Sequence, residues 1–217
     1  ADEIHAMGLK FGIHIMRGVP RLAVHNRLKV KGTDISCHEI AHRNSICAWN
    51  TDMYGVDPDK PGAQAYYDSI FALYADWGVD YVKVDDICNT KATPLEEYSA
   101  RREIEMIRTA IDRRGRSMVL SLSPGPAVIG EAWHMAKYAN MWRITDDFWD
   151  NWPSLLEMFW RCEVWQAHVQ PGRYPDCDML PLGRIAITAD SKAPYTNFTT
   201  PEQTTIMSPW GIFPAPL

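Results

Sequence analysis

The chain has 217 residues, 46% of them apolar and 23% charged, which is enough to bury a core and excludes disorder. A formal net charge of −5, with no extended Lys/Arg run, argues against nucleic acid or an anionic membrane surface as the main partner. No run of about 18 apolar residues occurs, so no membrane span is expected.

The opening ADEIHAMG reads as the end of a helix stopped by Gly8, and the closing PWGIFPAPL as the start of an apolar segment. Both ends look cut, so the chain is expected to be an interior piece of a longer protein, with localisation signals outside it. KFGIHIM (10–16) reads as a first strand. A helix is expected from Pro61 to Trp77, where Tyr66, Ile70, Leu73 and Trp77 recur at helical spacing and Gly78 supplies the stop. YVKVD (81–85) is a second strand, followed by a helix over Pro94–Arg114 with Tyr98, Ile104, Ile107 and Ile111 on one face. SMVLSLS (117–123) and NMWRIT (140–145) are further strands, each followed by a helix, over Ile129–Tyr138 and Pro153–Val169. The segment GRYPDCDM reads as irregular, and a last helix begins at about Pro201.

Strand and helix alternate, and the strands are mostly apolar, as parallel strands covered on both faces are. An α/β fold follows. An open doubly wound sheet that bound nucleotides would carry a Gly-rich turn after its first strand, and none occurs, which favours a (β/α)8 barrel. The whole of 1–217 is then one partial catalytic barrel with no second domain. A long loop at about 18–59, holding His25, His38, His42, Cys37, Cys47 and Trp49, would lie on the barrel's active-site face.

Polar residues gather at the ends of the predicted strands: His14; Lys83, Asp85 and Asp86; Ser121 and Ser123; Arg143, Asp146 and Asp147; Asp176 and Asp178. Alternate positions on a strand share a face, so Lys83 and Asp85 project together, inward in a barrel. An ammonium beside a carboxylate keeps it ionised, which suits a nucleophile. Asp86 faces the other way and reads as a helix cap or loop residue. On the later strand Arg143 sits four residues before Asp147 and can orient a carboxylate or clamp a hydroxyl-bearing ligand. Two carboxylates across a barrel mouth are what glycoside hydrolysis needs. A metal reading competes, in which His14, His38, His42 and Asp85 ligate an ion, but there is no HxH on a strand. The five cysteines lack zinc-site spacing, and the nine Trp and nine Tyr serve a core as well as a sugar-stacking surface.

Taken together, LKFGIHIM, CAWN, DWGVDYVKVDD, WRITDD, PDCDMLPLG and TPEQTTIMSPWGIF resemble glycoside hydrolase family 27, the α-galactosidase and α-N-acetylgalactosaminidase group of clan D. The resemblance is ordered along nearly the whole chain. It implies a (β/α)8 barrel, of which this chain would supply strands three to seven. It implies Asp85 as nucleophile, Asp147 as general acid/base, and Lys83, Arg143, Asp178, His14 and Ser123 as sugar contacts. His14 falls where the family commonly has tyrosine. Ser123 lies in SLSPGPA, where the family usually reads the sugar's 2-position with other residues. Cys47 matches a cysteine the family often bridges to one after the nucleophile strand, whereas Cys88 sits a residue late. No metal or organic cofactor is implied, and an extracytoplasmic or secreted location is.

The expected activity is therefore a retaining α-glycosidase acting on terminal α-galactoside-like residues of an oligosaccharide or glycoside. Two alternatives stay open. One is an inactive carbohydrate-binding fragment or pseudoenzyme; the other is a family member with shifted specificity, a β-L-arabinopyranosidase or α-N-acetylgalactosaminidase. The sequence sets no oligomeric state.

Overall fold

The computed structural model describes residues 1–47, 49–87, 100–185 and 194–215. Cys88, and with it any bridge to Cys47, lies outside these residues, as does the start of the helix expected from Pro94. In chain order the strands are β1 (Gly12–Met16), β2 (Val19–Pro20), β3 (Ala41–Ile46), β4 (Met53–Val56), β5 (Tyr81–Asp85), β6 (Val119–Ser123), β7 (Met141–Arg143) and β8 (Tyr174–Asp176). The helices are α1 (Asp2–Ala6), α2 (Arg21–His25), α3 (Cys37–Ile40), α4 (Ala63–Asp76), α5 (Arg101–Asp112), α6 (Ala132–Tyr138), α7 (Trp152–Trp165) and α8 (Thr200–Ile212).

Five strands form one parallel sheet in the order β1-β5-β6-β7-β8. A helix follows β5, β6, β7 and β8, and the order never reverses. A doubly wound sheet reverses at its switch point, whereas a barrel adds each strand beside the last, so this sheet is an arc of a (β/α)8 barrel. Two expectations are corrected here. GRYPDCDM contains β8, a short strand whose proline sits inside it and hid it from pattern reading. The 18–59 segment, expected as one long loop, folds into the antiparallel sheet β2-β4-β3 with α2 and α3.

β5 buries alternate residues, and β6 buries four residues in a row. Val82 and Val84 of β5, and Leu120 and Leu122 of β6, are fully buried. Each such side chain contributes about 1.5–3 kcal/mol when removed from water. The helices present matching faces, Tyr66, Tyr67 and Phe71 from α4 and Ile104, Ile107 and Ile111 from α5. Trp142 of β7 meets Trp165 of α7 with ring centroids 6.2 Å apart. Asn151 caps α7 by accepting from the Ser154 N–H at 3.0 Å, and Thr199 with Glu202 forms a capping box that opens α8.

At the end of the sheet away from the candidate site, Asp80 ties three strand entrances together. Its Oδ2 accepts from the Phe11 N–H at 2.9 Å and lies 2.7 Å from His5 Nε2. Its Oδ1 accepts from Arg116 Nη2 at 2.7 Å. The Phe11 N–H and His5 hold the Asp80 carboxyl at about 2, below the ordinary 3.8. Among the described residues no helix is long and apolar enough to cross a membrane.

Candidate active site

In a parallel sheet, residues in register project to the same face. His14 is registered with Lys83, and Lys83 with Ser121; Met16 is registered with Asp85, and Asp85 with Ser123. Arg143 is registered with Asp176. The face opposite Val82 and Val84 therefore carries His14, Lys83, Asp85, Ser121 and Ser123. The alternation that buries one set of β5 residues under the helices delivers the other set to the barrel interior.

Both oxygens of Asp85 are engaged. Oδ1 accepts from the Asp86 N–H at 2.8 Å, and Oδ2 lies 3.1 Å from His14 Nε2. Asp86 itself, the first residue past β5, points elsewhere. It is a loop residue and is not solvated: its Oδ2 pairs with Arg17 Nη2 at 2.9 Å in the protein interior. Burial pushes its carboxyl above the usual range, against the opposing pull of Arg17.

At the far strands a second group assembles around Arg143. Its Nη2 lies 3.0 Å from Asp147 Oδ1, its Nε 3.5 Å from Asp178 Oδ1, and its Nη1 3.5 Å from Ser123 Oγ. Nε also donates to the Thr145 carbonyl at 3.1 Å. Asp147 is exposed, whereas the Asp178 side chain is buried and accepts from the Phe148 N–H at 2.8 Å. Asp178 adopts left-handed backbone, φ +70°, and its N–H donates to Asp176 Oδ1 at 2.9 Å. Burial pushes the Asp176 carboxyl up, and the Asp178 N–H and nearby Lys83 oppose that shift. The chain thus bends sharply between Asp176 and Asp178, placing one carboxylate under the sheet end and the other against Arg143.

The seven residues singled out from sequence divide into two contacting sets, His14 with Asp85 and Arg143 with Asp147, Asp178 and Ser123, while Lys83 sits in register between His14 and Ser121. His38 and His42 do not join His14. His38 lies against Arg43 Nη2 at 3.0 Å, and His42 Nδ1 accepts from the Ser45 N–H at 3.0 Å. Among the described residues no three His, Cys, Asp or Glu side chains are grouped to hold a metal ion. Sequence reading missed Arg17 and Glu103, which approach within 2.7 Å beside Asp86. One signal was available: Glu103 shares its helix face with Ile107 and Ile111, the buried positions of α5.

Comparison with known proteins gives this geometry its context. The family model described as Alpha galactosidase A matches residues 56–217. The chain is 28% identical to Alpha-galactosidase 3 of Arabidopsis thaliana over 87% of this chain and 33% of that protein. It is 30% identical to human Alpha-galactosidase A over 100% of this chain and 41% of that protein. It superimposes with a TM-score of 0.93, at 57% identity, on the crystal structure of a GH27 β-L-arabinopyranosidase from Geobacillus stearothermophilus, covering 100% of this chain and 50% of that one. The chain therefore spans about a third to a half of the length of these relatives. On the family match, the motifs and the barrel arc, this chain belongs to the α-galactosidase family, glycoside hydrolase family 27.

Proposed function

We propose that the protein is a retaining glycosidase for sugars of the galactose configuration, with Asp85 as nucleophile and Asp147 as acid/base. The observation that carries the reading is the state of Asp85. It lies at a parallel strand's C-terminal end, in register beside Ser123 and Met16, with one oxygen bound by a backbone N–H and the other by His14. A carboxylate so oriented is set for attack on an electrophilic carbon.

Asp85 would attack the anomeric carbon as the glycosidic C–O bond breaks and the departing oxygen takes the Asp147 proton. The product is a glycosyl ester of Asp85. Asp147, now a carboxylate, removes a proton from water, which cleaves the ester and restores both groups. Two inversions at one carbon give net retention. Asp147 is exposed at its tip, as a group that must reach the leaving group and then water needs to be, and Arg143 holds it from behind. Lys83, Asp178, His14 and Ser123 are assigned to the sugar's hydroxyls, where contacts that tighten as the ring flattens lower the barrier.

A second reading concerns the sugar. An α-D-galactopyranoside and a β-L-arabinopyranoside share ring stereochemistry and differ in the C5 substituent. Identity is 57% to the Geobacillus arabinopyranosidase and 55% to the Bacillus halodurans protein named as an α-N-acetylgalactosaminidase, against 28% and 30% to the two α-galactosidases, so the pentoside and the acetamido sugar both stand beside galactose. Turnover of nitrophenyl α-D-galactopyranoside, β-L-arabinopyranoside and N-acetyl-α-D-galactosaminide by the full-length protein separates these substrates. Proton NMR of the first-formed sugar should show the anomeric configuration of the substrate; no turnover of any of the three would sink the proposal in favour of a binding role.

A further inference from the structure

Asp86 adopts φ +52°, a left-handed conformation that a residue with a Cβ enters at a cost. That turn is what aims its N–H at Asp85 Oδ1. Arg17, the residue after β1, holds the turn from every available side. Its N–H donates to the Asp85 carbonyl at 3.1 Å, its Nε to the Asp86 carbonyl at 2.6 Å, and its Nη2 to Asp86 Oδ2 at 2.9 Å. The remaining nitrogen, Nη1, donates to Glu103 Oε2 at 2.7 Å and Ser45 Oγ at 2.8 Å. Glu103 is fixed in turn: its Oε1 accepts from the Tyr67 hydroxyl at 2.6 Å and the Val56 N–H at 2.9 Å.

The cluster is buried, with Arg17, Asp86 and Glu103 only 3%, 8% and 4% exposed. A second observation shows that the surrounding structure is built around the guanidinium. A Cβ on Gly55 would lie 2.7 Å from Arg17 Nη1, so β4 closes over it at a distance only glycine allows. Desolvated charges of this kind add little net stability compared with apolar packing, so their value is geometric. Elements β1, β3, β4, α4 and α5 converge on a single peptide unit, the one that follows Asp85.

We propose that Arg17 is a positioning residue for Asp85. By fixing the Asp86 peptide it makes Oδ1 the anchored oxygen and leaves Oδ2 to bond to the anomeric carbon as the glycosidic bond breaks and Asp147 protonates the leaving oxygen. The inference rests on the reading of Asp85 as nucleophile. It also gives the 18–59 segment a task, since Ser45 and Val56 reach the site only through Arg17 and Glu103.

The test uses the full-length protein, an aryl glycoside that it turns over, and a competitive sugar inhibitor. Arg17→Met, checked for a folded thermal transition, should lower kcat on the order of 10²-fold, the cost of a misplaced reacting group, while inhibitor Kd stays within about threefold. Should Arg17→Met fail to fold, Asp86 supplies the second variant pair. Asparagine tolerates left-handed backbone and alanine does not, so kcat of Asp86→Asn should exceed that of Asp86→Ala by about tenfold. Asp85→Ala, with azide as replacement nucleophile, serves as the reference. Unaltered turnover in Asp85→Ala overturns the nucleophile reading and this inference with it. An inactive, azide-rescued Asp85→Ala beside a folded Arg17→Met of wild-type kcat overturns the positioning role alone, as do equal losses of kcat and inhibitor affinity or equal kcat in the two Asp86 variants.

Discussion

His14 Nε2 lies 3.1 Å from Asp85 Oδ2, joining the middle of β1 to the C-terminal end of the adjacent parallel strand β5. The contact links the oxygen assigned to attack with a half-exposed ring. Hydrogen bonds to charged groups are worth about 1.5–3 kcal/mol when geometry is good. His14→Ala should therefore lower kcat/KM about tenfold, with little loss of stability because the ring is not packed in the core. Steady-state kinetics with a thermal melt checks both halves; wild-type kcat/KM would show that His14 is not needed for Asp85's alignment.

Arg143 serves Asp147 and Asp178 at once, and the Asp178 side chain is only 5% exposed. Arg143→Ala leaves that carboxylate in the interior without a cation, which should cost about 3 kcal/mol in urea unfolding. Lysine should restore charge but not the planar fork, so Arg143→Lys should recover stability more than kcat. Equal recovery of both would contradict the view that Arg143 orients Asp147.

Gly18 marks where the 18–59 segment leaves β1. Its φ is +94°, and a Cβ there would sit 2.0 Å from the Tyr54 carbonyl oxygen. Gly18→Ala must push β4 away or break the turn, and a loss of at least about 2 kcal/mol is expected. A loss below about 0.5 kcal/mol, the range of neutral surface changes, would rule out this close approach.

The Asp80 clamp makes an acid-stability prediction. Its folded-state pKa, about 2, lies below the ordinary 3.8, so its contribution is full above 3.8 and disappears as pH falls toward about 2. Asp80→Asn should cost about 2 kcal/mol at neutral pH, and the gap between variant and wild type should close across that acid window. Activity at neutral pH should be unchanged in the folded variant, since Asp80 lies at the opposite end of the sheet. A gap that persists unchanged below pH 2 would assign the effect to something other than this carboxylate.

How much of this was legible in the sequence depends on whether the signal was local. Period-two alternation in YVKVD placed Lys83 and Asp85 on one face, and the fold keeps that arrangement. β8 went unread because three residues with a central proline carry almost no periodicity. The small sheet of the 18–59 segment went unread because β3, AHRNSI, is mostly exposed and polar, so its strand state is set by pairing with β4 rather than by burial. Asp86 reads from sequence as a structural loop residue turned away from Lys83, and the fold keeps that, but the buried ion pair it makes does not show there. Its partner Arg17 is 69 residues from it, Arg17 and Glu103 are 86 apart, and only the pairing of β1 with β5 brings them together.

The central claim is that Asp85 forms a covalent bond to the sugar. An activated fluorinated glycosyl fluoride of the preferred substrate, which forms the ester quickly and hydrolyses it slowly, should trap the full-length protein stoichiometrically. Peptide mass spectrometry should then place the sugar on Asp85 and on no other carboxylate, with adduct formation absent in Asp85→Asn. Labelling of a different residue, or rapid turnover of the fluoride to sugar of inverted configuration with no adduct, would contradict the account.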